Sequence, residues 1–374
     1  MDGKGESVGI RELAPAHVRA IAPYVPGKPI AETARELGIP EADILKMASN
    51  ENPLGPSPKA LEAIRGALAE LNYYPDGSGF DLKAALARKL GVAPASLVLG
   101  NGSNDVLELA ARTFLTAADS AVYSRHAFLV YPLVVQAIGA KGIEVPAARG
   151  YAPDLEGMAR AVRPDTKIVF LANPNNPTGT FNAWDEVRGF VERIPRRVLV
   201  VLDEAYGEYL PPELASPTVS WIARFPNLVV SRTLSKAYGL AGLRIGYGVA
   251  HPEAVEVMDR VRQPFNVNHL AMVAARAALD DEAFIDRSRA VNAAGLEQLR
   301  AGFERLGLEY IPTRGNFVTV RVGDAARVFQ ALLREGVIVR PIAGYGLPEH
   351  LRVTVGLPEQ NARFLAALER VLRG

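Results

Sequence analysis

Short apolar runs recur through the middle of the chain, at 96–99, 120–123, 167–171, 198–202, 228–230 and 245–250. Stretches with helical spacing (105–114, 131–138, 184–192) separate several of them. Runs that are apolar almost throughout, instead of alternating with polar residues, suit strands buried on both faces. Such strands belong to a mainly parallel sheet covered by helices, the α/β class. In an open sheet of that kind a ligand sits beyond the carboxyl ends of the strands. Here the runs lead into polar clusters: GNGSND (100–105), ANPNNPTG (172–179), DEAY (203–206) and SRTLSK (231–236). The unusual chemistry thus falls where the architecture places a site.

The flanks read differently. Residues 1–11 are charged and glycine-rich and are expected to be disordered, and 21–29 carries three prolines and reads as an extended arm. A helix over 29–37, a strand over 45–49, and helices from 58 and over 81–90 follow. Beyond 265 the spacing predicts helices over 268–278 and 281–306, strands at 317–322, 337–340 and 351–355, a helix over 325–334 and a closing helix. This division gives an arm with part of a small domain (1–44), a large domain (45–265) and a small α+β domain (266–374).

Charge narrows the partners. With 42 basic against 41 acidic residues the chain has no electrostatic footprint for nucleic acid or an anionic membrane, so small molecules and further copies of itself remain. No apolar run approaches the roughly 20 residues that span a bilayer, and the first residues do not resemble a signal peptide, so a cytoplasmic location is expected. Zero cysteines remove disulfides and thiolate chemistry, and five scattered histidines without an HxxxH pair give no expectation of a metal.

Lys236 is the centre of the chemical reading. In SRTLSKAYGLAGLRIGYG (231–248) it stands beside Thr233 and Ser235, which can each donate a hydrogen bond, and ahead of Arg244, whose fork matches phosphate oxygens. A lysine beside a phosphate cup, after a buried strand, points to imine chemistry with pyridoxal phosphate. Alone, SxxSK is no more than a solvated loop lysine. The other loops change the balance. Asp203 ends the run VLVVL, so its carboxylate is partly buried and needs a cation such as a protonated pyridine; its plainer role is a helix cap. Tyr206 follows three residues later. ANPNNPTG turns tightly and aims Asn176 inward, GNGSND opens a helix whose first N–H groups favour an anion, and Phe128 can stack on a ring. Taken singly, these are a core tyrosine, an Asn–Pro turn, a capped glycine turn and a core phenylalanine.

NENPLGPSP, YPDGSG, GNGSND, NPNNPTG, DEAY, SRTLSKAYGLAGLRIGY and RPIAGYGLPEHLRVTVG together resemble the histidinol-phosphate aminotransferases, from about Pro23 to the C-terminus. The resemblance implies the aspartate-aminotransferase fold (fold type I), with a mainly parallel seven-stranded sheet between helices and a smaller α+β domain. It implies pyridoxal 5'-phosphate bonded to Lys236, with Asp203 at the ring nitrogen and Tyr206 and Asn176 at the phenolic oxygen. Phe128 would lie on the ring, and Ser103, Asn104, Thr233, Ser235 and Arg244 around the phosphate. Tyr74 would reach the cofactor phosphate of a partner subunit, making the active unit a homodimer. Arg352 would bind the acidic end of a substrate. Asn52 would also lie on the substrate side. Arg340 and Tyr24 would contact the substrate's phosphate, with Tyr24 on the neighbouring subunit's arm. The implied reaction is transamination of L-histidinol phosphate with 2-oxoglutarate, giving imidazole-acetol phosphate and L-glutamate. An aromatic amino-acid aminotransferase, a threonine-phosphate decarboxylase and a non-catalytic regulator are the alternatives. One departure bears on the choice: His126 stands where many members have proline.

Overall fold

The computed structural model describes residues 9–24 and 27–373. The expectation of disorder over 1–11 falls mainly on residues 1–8, outside the described residues, as do Val25 and Pro26 of the expected arm. Ile10–Leu13 forms a 3₁₀ turn and Ala16–Arg19 one turn of helix.

The first strand, β1 (Leu45–Lys46), belongs with the smaller part of the molecule. The next seven, β2 (Leu97–Gly100), β3 (Ser120–Ser124), β4 (Lys141–Val145), β5 (Thr166–Ala172), β6 (Leu199–Asp203), β7 (Leu228–Thr233) and β8 (Gly246–Ala250), form one sheet in the order β2-β8-β7-β6-β5-β3-β4. The period-2 alternation of a strand explains why these runs are apolar throughout. Along β5, Val169 and Leu171 enter one core layer while Ile168, Phe170 and Ala172 enter the other. Helices Phe80–Leu90, Trp184–Arg193 and His269–Leu279 bury side chains in the first layer, and Ser103–Phe114, Val130–Ile138 and Pro252–Asp259 in the second. β4 has no place among the apolar runs because it is the sheet's edge, mostly exposed and reading KGIEV. β8 alone runs against its two neighbours. Residues 234–245 connect β7 to β8 with no α-helix between them, whereas a parallel return usually needs one to cross the sheet. That short return carries both Lys236 and Arg244.

The second sheet is antiparallel. It contains β9 (Tyr310–Ile311), β10 (Phe317–Arg321), β12 (Arg340–Pro341) and β13 (His350–Thr354), in the order β12-β13-β10-β9; β11 (Val337–Ile338) pairs instead with β1. The helices Glu282–Arg305, Ala325–Arg334 and Pro358–Arg373 cover it.

The cores do not divide at residues 44 and 265. β1 and Ala48 pack with Ile338 and Leu333 of the smaller part, whereas Val267, Ala271, Ala275 and Leu279 pack in the layer of the large sheet. The change of partner occurs inside one helix. Phe284 and Ile285, at the start of Glu282–Arg305, belong to the first core, and Leu296, Leu299 and Phe303 to the second.

Candidate active site

The register of the sheet sets the site. Asp203 is the last residue of β6, paired with Ala172 at the end of β5 and with Ser231 in β7. The 173–180, 203–206 and 231–236 loops therefore leave the sheet side by side. They enclose a cavity of about 260 Å³ together with the start of Ser103–Phe114, residues 48–51, and Arg340, Tyr345 and Arg352 of the smaller part. Of the residues expected in the site, Tyr24, Ser103, Asn104, Phe128, Asn176, Asp203, Tyr206, Thr233, Ser235, Lys236, Arg244, Arg340 and Arg352 all line it.

Burial pushes the Asp203 carboxyl up to about 6, while a hydrogen bond from the Tyr131 hydroxyl (2.9 Å) and one from the Ala205 N–H (3.2 Å) work the other way. A 4% exposed carboxylate so placed favours a cationic partner, as a ring N–H would be. Burial pulls the Lys236 amine down to about 8, with the Arg352 guanidinium adding to the effect. Its Nζ donates to the Ser49 carbonyl at 3.1 Å. A larger share of neutral amine near neutral pH is what an imine-forming lysine needs. The Tyr206 hydroxyl, pushed up to about 12 by burial, accepts from Asn50 Nδ2 at 2.8 Å, which leaves its own hydrogen to donate elsewhere.

One end of the cavity suits a phosphate. The helix Ser103–Phe114 begins without a side-chain cap, so the first N–H groups are available to an anion. Arg244 lies against Gly102 so closely that a Cβ there would sit 2.5 Å from its Nη2, and Gly102 also has φ +80°. The other end suits a further anion. Arg340 in β12 is the direct cross-strand partner of Arg352 in β13, and like charges in that register repel unless an anion lies between or beside them. Arg352 is buried, donating from Nη1 to Asn176 Oδ1 (2.6 Å) and from Nη2 to the Ala48 carbonyl (2.8 Å). Its Nε has no hydrogen-bond partner among the described residues. The donors and charges fit pyridoxal phosphate with an anionic substrate beside it.

A model of the family "Aminotransferase class I and II" matches residues 42–368. Histidinol-phosphate aminotransferase 1 of Thiobacillus denitrificans is 62% identical over 359 residues, covering 96% of this chain and 93% of that protein. The chain belongs to the histidinol-phosphate aminotransferases. Among solved structures, the family member from Sinorhizobium meliloti in complex with pyridoxal-5'-phosphate superposes with a TM-score of 0.89 at 31% identity, over 98% of this chain and 99% of that one. A single mutant of Thermus thermophilus aspartate aminotransferase shares the fold, with a TM-score of 0.83 at 24% identity over 96% and 99% of the two chains.

As a member of this family the chain departs from the sequence reading in several places. Asn52 does not line the cavity. Its Nδ2 donates to the Ala237 carbonyl (2.8 Å) and to Ser288 Oγ (2.9 Å), and its Oδ1 accepts from the Leu54 N–H, so it pins the lysine loop to the long helix. The asparagine of that loop that lines the cavity is Asn50, held at φ 55° by bonds with Thr354 and Asn316. Its tolerance of left-handed backbone is the signal NENP carried. Tyr131, read as part of a helix only, proves to be the residue holding Asp203. Tyr24 comes to Arg340 within one chain, its ring centroid 5.5 Å from the guanidinium carbon, so no neighbouring subunit is needed to join the two. Tyr74 is outside the cavity. It is 84% exposed and stacks on Phe265 at 5.0 Å.

Proposed function

We propose that this chain transaminates L-histidinol phosphate with 2-oxoglutarate, a step of histidine biosynthesis, using pyridoxal 5'-phosphate held by Lys236. The observation that carries the substrate is the pairing of Arg340 with Arg352 on neighbouring strands, both in the cavity wall with Lys236. Two adjacent guanidiniums serve a phosphate monoester in one half-reaction and a dicarboxylate in the other.

Pyridoxal phosphate, when bound, supplies an aldehyde for the substrate amine and a ring that takes up the electron pair freed at Cα. Lys236 would hold the cofactor, and its Nζ, once free, would serve as the general base and acid for the substrate's Cα proton. The depressed basicity of that amine keeps part of it neutral, and so able to accept. Asp203, its carboxylate directed by the bond from Tyr131, would keep the ring nitrogen protonated. Tyr206 and Asn176 would donate to the phenolic oxygen, and Phe128 would lie against the ring. Ser103, Asn104, Thr233, Ser235 and Arg244 hold the phosphate.

Single-turnover absorbance with histidinol phosphate, phenylalanine, tyrosine and glutamate tests the reading. The specificity constant for histidinol phosphate is expected to exceed that for the aromatic amino acids by at least about 10²-fold, since an amine without the phosphate leaves part of the site's polar lining unpaired. Faster reaction with phenylalanine or tyrosine would move the chain to aromatic amino-acid transamination. In Arg352→Ala both half-reactions are expected to slow by on the order of 10²-fold, since removing one partner of a buried charged contact costs about 3 kcal/mol. Loss of one half-reaction alone would show that the two anions do not share this arginine.

The working unit in this proposal is a cytoplasmic homodimer. Tyr73, Tyr74, Phe80 and Phe265 are all exposed on one chain, and a second copy would cover them and bring Tyr74 to the other subunit's phosphate end. Light scattering is expected to give twice the chain mass; a monomer at assay concentration would remove Tyr74 from the site. Among the described residues no helix is long and apolar enough to cross a membrane.

A further inference from the structure

His126 does not line the cavity, yet its side chain bonds a residue that does, Tyr345. The His126 backbone is left-handed, at φ 57°, a conformation uncommon outside glycine and, among the other residues, commonest for asparagine, aspartate and histidine. From that position Nδ1 lies 2.5 Å from the Tyr345 carbonyl oxygen. A carbonyl can only accept, so Nδ1 carries the hydrogen and donates. The turn it grips, Ala343–Tyr345, follows Arg340–Pro341 after Ile342, and both Arg340 and Tyr345 line the cavity.

Three further contacts fix the histidine. Its own carbonyl accepts from Asn175 Nδ2 at 3.0 Å, one residue before Asn176. Its ring meets Tyr151 edge-on at 5.9 Å, and Tyr151 meets His350 the same way at 5.9 Å, in the strand that carries Arg352. Gly346, at φ +76°, comes so near that a Cβ there would lie 3.3 Å from the imidazole. On the other side Phe128 is two residues away along the chain. One side chain therefore links the loop that faces the cofactor ring to the turn that follows Arg340.

We propose that His126 is a positioning residue that sets the place of the Arg340–Tyr345 segment, and thereby favours amines bearing a phosphate over amines without one. The choice of phosphate as the ligand rests on the proposed function. The bond reaches the anion end of the site through the Tyr345 carbonyl, whereas Lys236 bonds the Ser49 carbonyl and Asp203 accepts from Tyr131.

The test is made on the holoenzyme with His126→Gly and His126→Asn. Glycine keeps the left-handed backbone and loses the donor. Asparagine keeps both the backbone tolerance and an N–H donor. Loss of one hydrogen bond is expected to raise KM for histidinol phosphate about fivefold to tenfold in H126G, with kcat and the KM for phenylalanine within about twofold of the parent. The Ki of inorganic phosphate, measured against any amine the enzyme accepts, is expected to rise by the same factor. H126N is expected to recover most of both losses. An unchanged phosphate Ki in H126G, an equal rise in KM for phenylalanine, or a fall in kcat with every amine would overturn the assignment. If the glycine variant does not fold, His126→Ala against H126N reads the same split. Because phosphate inhibition needs no particular amine, a parent enzyme indifferent to histidinol phosphate would defeat the proposed function and still leave the latch decided.

Discussion

Lys236→Ala is expected to reduce turnover by on the order of 10⁴-fold or more, since the variant lacks both the covalent anchor and the group that moves the Cα proton. Borohydride reduction followed by intact mass is expected to attach the cofactor to the parent and not to the variant. An adduct surviving in the variant would place the bond on another lysine. The loss is chemical and not a consequence of unfolding. Among the described residues Lys236 Nζ bonds only the Ser49 carbonyl, and burial already disfavours its charge. Burial brings the folded amine down to about 8 from the ordinary 10.5 of an unfolded one, so between the two the unfolded state binds more protons. The cost of holding Lys236 charged is thus fully present below pH 8 and fades as pH rises through that window. Cofactor-free K236A is accordingly expected to melt above the parent at pH 7 and to lose that advantage near pH 10.

Asp203→Asn is expected to separate function from stability in the opposite sense to most active-site damage. Without a carboxylate to keep the ring nitrogen protonated, kcat should fall by on the order of 10²–10³-fold, as for other deleted electrostatic partners. The cofactor-free variant, however, is expected to be more stable than the parent at pH 7, by about 1–3 kcal/mol. The folded carboxyl holds its proton up to about pH 6 while an unfolded one releases it near 3.8, so the folded state binds more protons in between. Stability from this site is therefore greatest in acid, falls as pH rises towards 6 and is lowest above it. The amide carries no such charge, and it can still accept from Tyr131. Thermal melts of both apo-proteins from pH 4 to 8 decide the matter: curves that stay parallel across that range would show that Asp203 is not under strain.

Much of this site was legible because its polar residues sit at fixed offsets from buried strands. Lys236, Asp203 and Asn176 each follow an apolar run, and a strand that ends in polar residues announces what it delivers. The edge strand β4 was not legible, because only a strand covered on both faces reads as apolar, and KGIEV is covered on neither for most of its length. Asn52 and Asn50 could not be told apart by spacing. Both stand in one loop, and the choice between them is made by Ser288, Thr354 and Tyr206, which are more than 150 residues away along the chain. Tyr131 was hidden for the same reason. Its helical position is a local property, whereas its bond to Asp203 spans 72 residues. The boundary at 265 was drawn from a change of pattern, but helices near that point continue to fill the core of the sheet before them.

The helix Glu282–Arg305 gives that last point a wider meaning. Its first turns belong to the core that holds Lys236 and Asp203, its later turns to the core that holds Arg352, and between them Ser288 bonds the Ala237 carbonyl beside the lysine. A cut before this helix strips Phe284 and Ile285 from one core, and a cut after it strips Leu296, Leu299 and Phe303 from the other. The molecule has two parts in space but no peptide bond hereabouts at which they separate. Its modularity is geometric, not genetic: this architecture can acquire a new substrate by altering residues in the smaller part, but it cannot exchange that part as a cassette.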